Sequence, residues 1–198
     1  MPDTVRHSSH VVRDLADEVR RQKALVGMDG PKLMDGLRES LAKVLASDLT
    51  EIGVKREGNH IDESRYLYYD GEIYISFDHL PKGKYVPPHD HGVWEAMGIY
   101  SGQLNHALFE RKDDGTKEGF ADLEMLDDRM LETGDMMMVA PPSEIHSFTA
   151  LTDDTWSVTI VGGHYKPDRN YFDPENKSYV RRNSKDLKRN NMLKSAKA

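Results

Sequence analysis

The sequence predicts a mostly β protein, an antiparallel barrel or jelly roll preceded by two helices. Three observations carry this reading. From about Arg65 the apolar residues alternate with period two. Turn signals such as Asp70-Gly71, Ser101-Gly102, Thr133-Gly134 and Gly162-Gly163 cut that alternation into short runs. The first 55 residues instead carry apolar residues three and four apart. Eight or nine short strands at such spacing suit antiparallel closure and not alternating βαβ units.

A first helix is predicted from Ser8 or Ser9 as N-cap, with Val11, Val12, Leu15, Ala16 and Val19 on one stripe and Arg20, Arg21 and Lys23 near its end, where cations suit the dipole. Gly30-Pro31 opens a second, whose stripe is Leu33, Met34, Leu37, Leu41, Val44 and Leu45. Strand-type runs follow at Tyr66 to Tyr69, Glu72 to Leu80, Trp94 to Tyr100, Gln103 to Glu110, Phe120 to Leu126, Met136 to Ala140, His146 to Ala150 and Trp156 to Val161. Asp127-Asp128 reads as a turn, and Asp70-Gly71 as a hairpin. The aromatics Tyr66, Tyr68, Tyr85, Trp94, Tyr100 and Trp156 are read as strand packing, and Met136-Met137-Met138 as adaptable core filler.

The chain is divided into a helical layer at 1–55 that packs on the barrel, the barrel at 56–175, and a basic tail at 176–198. At 198 residues it suits one sizeable core. The net charge is −7, but the tail carries eight Lys/Arg against one Asp, which leaves −14 on residues 1–175. With few apolar residues, the tail reads as a solvated helix or frayed end, dispensable for folding, and not as a nucleic-acid surface. Met1 to His10 has no apolar h-region, and no apolar run approaches the roughly 18 residues of a membrane span, so the expectation is a soluble cytoplasmic protein. The absence of cysteine excludes disulfides, thiolate zinc sites, iron–sulfur clusters and a cysteine nucleophile. Any metal must then sit on His, Asp or Glu.

His89 and His91 are two apart, so on a strand both imidazoles share a face, and inside a small barrel that face is the cavity. Glu95 follows four residues on, and His146 opens a later strand after Pro141-Pro142. Three imidazoles and a carboxylate suit a divalent Fe, Mn, Ni, Co or Zn with open positions. His7, His10, His60, His79, His106 and His164 are read as structural.

Gly83, His89-Asp-His91, Glu95 and Gly102, at gaps of five, three and six residues, resemble the first motif of the cupin superfamily. Gly134, Pro141 and His146 resemble its second. Within cupins the sequence is most similar to the cysteine dioxygenase and 3-mercaptopropionate dioxygenase group. The similarity rests on His89-Asp-His91 followed by Trp94, on Arg65 in Arg-Tyr-Leu-Tyr-Tyr-Asp, and on the closing Val161-Gly-Gly-His-Tyr-Lys-Pro-Asp-Arg. The resemblance implies a double-stranded β-helix and a mononuclear non-heme iron dioxygenase oxidising a small acidic metabolite, a thiol carboxylate among the candidates, with O₂. Fe(2+) is the first cofactor, with Mn, Ni, Co or Zn as alternatives. His89, His91 and His146 would be ligands, Glu95 a fourth ligand or a base beside the metal, and Arg65 a clamp on the substrate carboxylate. The alternatives are a redox-neutral isomerase, lyase or decarboxylase, and a non-catalytic cupin that binds a small ligand. Neither nucleic acid nor membrane is an expected partner, and a homo-oligomer is left open.

Overall fold

The computed structural model describes residues 3–57, 61 and 63–183. His60, Asp62 and the sequence after Asn183 lie outside the described residues. Two helices, α1 (Asp3–Val26) and α2 (Gly30–Leu45), precede twelve strands. One antiparallel sheet runs β1 (Val54–Lys55), β2 (Glu63–Tyr69), β3 (Tyr74–Leu80), β10 (Thr155–Val161), β5 (Glu95–Ser101), β8 (Met136–Val139) in spatial order. The other runs β12 (Ser178–Asn183), β11 (Asp168–Asp173), β4 (Tyr85–His89), β9 (His146–Ala150), β6 (Gln103–Arg111), β7 (Leu123–Glu132). Neighbours distant in sequence, such as β3 with β10 and β4 with β9, make this a double-stranded β-helix, the jelly roll expected from the alternation.

Period two sorts each strand between two environments. Leu80, Val86, Met97, Ile99, Leu104, Met137 and Phe148 fill the space between the sheets. Ile73, Ile75, Phe77, Ala96, Val158 and Ile160 face outward from the first sheet. They are covered by Val12, Leu15 and Val19 of α1 and Leu33, Leu37 and Leu41 of α2. Each such side chain contributes about 1.5–3 kcal/mol by leaving water, so the helices seal a face that alternation alone would leave exposed.

Asp29 caps α2, accepting from the Lys32 amide at 3.3 Å, with Pro31 in the first turn. Several boundaries differ from the sequence reading. α1 begins at Asp3, and Ser8 sits fully buried on its packed face instead of capping it. β7 runs through Asp127-Asp128, because its long pairing with β6 satisfies the backbone while its outer face, exposed to water, tolerates the carboxylates. Ser178–Asn183, read as part of a solvated tail, is strand β12. It pairs with β11 along its whole length and packs Tyr179 against Phe172. Alternation there is weak because the strand lies on a sheet edge and buries only one aromatic. No helix among the described residues is long and apolar enough to cross a membrane.

Candidate metal centre

His89 ends β4, and its inward direction depends on a bulge. Tyr85 faces Thr149 and Val86 faces Phe148, but the next pairing is His89 with His146, so β4 carries one extra residue over this step. Pro87 and Pro88 occupy the bulge, where a missing amide hydrogen costs the ladder nothing. The extra residue inverts the alternation, so His89 points inward like Val86 and stands opposite His146.

His91 lies beyond the strand, in the connection to β5. The Glu144 carboxylate holds this connection, accepting from the amides of His91 at 3.1 Å and Gly92 at 2.7 Å. Asp90 is tied from the other side by the Asn170 amide at 3.0 Å and its side-chain Nδ2 at 2.7 Å. The two imidazoles thus converge as the His-x-His spacing suggests, although through a pinned turn and not a continuous strand.

The three rings form one cluster. Nε2 of His91 lies 2.8 Å from Nε2 of His89 and 3.4 Å from Nε2 of His146, and one ring nitrogen from each fits within 4.8 Å. Two ligand nitrogens bound at about 2.1 Å stand roughly 3.0 to 3.4 Å apart for angles between square and tetrahedral, so this donor set fits a divalent ion. Protonation agrees. Nδ1 of His89 is 2.9 Å from the Pro87 carbonyl. A carbonyl only accepts, so Nδ1 carries the hydrogen and Nε2 presents its lone pair. Burial, with Arg169 nearby, holds His89 down at about 3, and burial pushes His146 well below the usual imidazole range. Both are therefore neutral, the form that ligates.

Glu95 opens β5 and is buried beside the cluster, with its carboxylate oxygens 3.7 Å from His91 Nε2 and 3.9 Å from His146 Nε2. Burial raises it to about 7, against a lowering by the hydrogen bond from Tyr165 and by Arg169. Tyr165, which the sequence reading missed, donates its hydroxyl to Glu95 and lies over the His91 ring, centroids 5.0 Å apart. It sits on a strap, residues 162–167, whose Lys166 amide bonds the His91 carbonyl at 3.0 Å. The strap starts at Gly162, where a β-carbon would lie 1.9 Å from the buried Trp94 ring, so only glycine lets it pass this close.

The cluster opens into a cavity of about 70 Å³ lined also by Arg56, Asp78, Met97, Ser157, Thr159 and Arg169. At roughly 10–15 Å³ per water, this admits a few waters or a metabolite of a few non-hydrogen atoms. Asp78 accepts from Ser64 and, at 2.7 Å, from Ser76, and burial raises its pKa. Arg169, on β11, is 5% exposed, with its guanidinium 4.7 Å from the Tyr165 ring centroid and no carboxylate oxygen within 4.0 Å among the described residues.

Arg65, expected to clamp a substrate, is elsewhere. It pairs with Phe77, on the helix-facing side of the first sheet, donates to the Thr50 and Ile52 carbonyls, and lies 5.3 Å over the Phe77 ring. The face it occupies is set by strand parity, since the cavity side of β3 carries Ser76 and Asp78. Arg65 is thus corrected from a substrate clamp to a packing residue. The cavity cations are Arg56 and Arg169. A second residue read as merely structural, His106, is buried against His146, with its Nε2 3.0 Å from His146 Nδ1.

No protein-family model matches the sequence, and no curated protein matches it. Among solved structures, KdgF from Halomonas sp. is similar with a TM-score of 0.42 and 13% identity, over 58% of this chain and 95% of that one. A mutant of Bacillus subtilis oxalate decarboxylase has a TM-score of 0.39 and 15% identity, over 57% of this chain and 27% of that one. Hydroquinone 1,2-dioxygenase PnpCD, in complex with Cd2+ and 4-hydroxybenzonitrile, has a TM-score of 0.41 and 9% identity, over 62% of this chain and 86% of that one. Likeness at this level decides neither reaction nor substrate; the residues of the cavity must carry the functional argument.

Proposed function

We propose that this chain is a mononuclear metal-dependent dioxygenase acting on a small anionic metabolite, with Fe(2+) held by His89, His91 and His146. The observation that carries the reading is one cavity that joins His89 and His91, two of three convergent imidazoles, to a buried guanidinium. Such an ion, when bound, supplies Lewis acidity and, as Fe(2+), the electron transfers that O₂ activation requires. The protein's residues do the rest. Arg169 binds the anion by charge-assisted hydrogen bonds, with Arg56 as a second cation on the wall. Tyr165 and the strap cover His91 and exclude water, and the small volume limits the substrate to a short acid. A thiol carboxylate is one member of that class.

A second reading, redox-neutral isomerase, lyase or decarboxylase chemistry with Mn, Ni, Co or Zn, is favoured by Glu95. A carboxyl raised to about 7 and hydrogen-bonded by Tyr165 can hold or release a proton near neutral pH. The test is metal analysis of the purified protein, then anaerobic reconstitution with each of the five metals and an oxygen-electrode screen of short carboxylates and thiol carboxylates. Oxygen uptake with Fe(2+) and none with Zn(2+) supports the dioxygenase. Turnover without oxygen uptake replaces it with the second reading, and protein that takes up no metal removes both.

A further inference from the structure

The His106 imidazole is 3% exposed, and its Nδ1 meets no hydrogen-bond partner among the described residues. Its polar contact is with His146, Nε2 to Nδ1 at 3.0 Å. His106 belongs to the inward row of β6, between Leu104 and Leu108, and Leu108 pairs directly with His146. It is thus the diagonal cross-strand neighbour of His146, on the side away from His91. An apolar side chain would fill this place without the cost of desolvating a polar ring. What the imidazole adds is the bond to His146.

We propose that His106 is the positioning residue that fixes the tautomer and ring plane of His146, and with them the affinity of the centre for a divalent metal. The inference rests on the reading of His146 as a ligand. For His146 Nε2 to offer a lone pair, its Nδ1 must carry the hydrogen, and that hydrogen needs an acceptor. His106 Nε2 supplies one. The two nitrogens face each other at 3.0 Å, so with the hydrogen on His146 Nδ1 the His106 Nε2 is the accepting lone pair. Ligating histidines usually donate to a carboxylate or a backbone carbonyl, as His89 does to Pro87. A neutral imidazole orients the second ligand without adding charge, so His146 stays a weaker donor than a histidine backed by a carboxylate. The two ligands are thereby oriented by different means.

The experiment compares Co(2+) binding, by competition with a chromophoric chelator and by the visible spectrum of the Co(2+) protein, in wild type, His106→Leu, His106→Gln, His146→Ala and the two corresponding doubles. Circular dichroism and the melting temperature report folding. Loss of an orienting partner should weaken binding about 10- to 100-fold in His106→Leu and shift the Co(2+) bands. His106→Gln, whose amide oxygen reaches the place of Nε2, should recover most of the affinity and the wild-type spectrum. In the His146→Ala background neither change should matter, because the partner acts through that ring. Wild-type affinity and spectrum in His106→Leu would overturn the inference and leave the metal reading standing. The same would follow if the loss persisted in the absence of His146. Should His106→Leu fail to fold, His106→Gln and its double decide by the same criteria. A wild-type protein that binds no Co(2+) would overturn the metal reading itself.

Discussion

Replacing Arg169 with Met separates the two roles a buried guanidinium can have. Taking a cation from water costs several kcal/mol after relaxation. Its visible compensation is the Tyr165 ring at 4.7 Å, the Tyr171 ring at 6.0 Å and a longer-range attraction to the buried Glu95, with no carboxylate oxygen within 4.0 Å among the described residues. Desolvated cation–π contacts contribute about 2 kcal/mol each at best, and the second is at the limit of reach. The balance is near zero or unfavourable in the ligand-free protein. Met fills most of the volume without the charge, so the metal-free variant should melt at or above the wild-type temperature. At about 2–4 °C per kcal/mol for a chain of this size, a gain of a few degrees is the expected scale. The same change should weaken binding of a small carboxylate by about 2–5 kcal/mol, roughly 30-fold to several thousand-fold, because a buried charge-assisted pair is lost. Differential scanning calorimetry of the metal-free proteins and calorimetric titration of the Zn(2+)-loaded proteins with short carboxylates read the two effects separately. A melting temperature lowered by more than about 4 °C, with carboxylate affinity unchanged, would make Arg169 a structural stack on Tyr165 and refute the assignment.

Other outcomes follow from the same geometry. One divalent metal per chain is expected, and alanine at His89, His91 or His146 should remove most of it in elemental analysis; full occupancy in His146→Ala would exclude that ligand. Arg65→Ala should leave metal content and kcat/KM unchanged, yet lower stability by about 1–2 kcal/mol in urea titration as its carbonyl bonds and its cover on Phe77 and Trp156 are lost. Removing residues 178–198 should lower the melting temperature by several degrees, because β12 and Tyr179 cover β11 and Phe172; an unchanged temperature would make the strand inessential. In the metal-free protein, His89 and His106 are held near 3 and 4 by burial, against an unfolded value of 6.5. The unfolded state therefore binds more protons below 6.5, and stability should fall as pH drops from 6.5 towards 4; melts at neutral pH and at about pH 5 that coincide would contradict this.

Local alternation was enough to read the jelly roll, because each strand from Tyr74 to Val161 faces one dry and one distinct second environment. The His89, His91, His146 constellation was legible for a related reason: its spacing is local, and only the meeting of β4 with β9 is long-range. The place of Arg65 was only partly within reach. Its strand carries Leu67 and Tyr68 on the helix-facing core, and pairing with Phe77 puts Arg65 on that side, although a bulge between Tyr66 and Tyr68 blurs the alternation that would have said so. Arg169 carried a weaker signal of the same kind, since it alternates with the buried Tyr171 in β11. Tyr165 had none, because a strap has no period, and its position is set by the approach of Gly162 to Trp94. The strand at Ser178–Asn183 escaped because edge pairing is a backbone property that polar side chains do not reveal.

The bulge at Pro87-Pro88 makes the site depend on a count as well as on chemistry. Were the strand to run straight from Val86 with both prolines kept, Pro88 would take the place opposite His146 and His89 would turn to the outer surface. Every histidine would still be present in the sequence, and the centre would have lost a ligand. Removing one of the prolines would instead leave a regular ladder with the histidine two residues from Val86, again inward and opposite His146. The His-x-His spacing alone thus does not make the centre; the pairing across Pro87 and Pro88 brings its first ring into place.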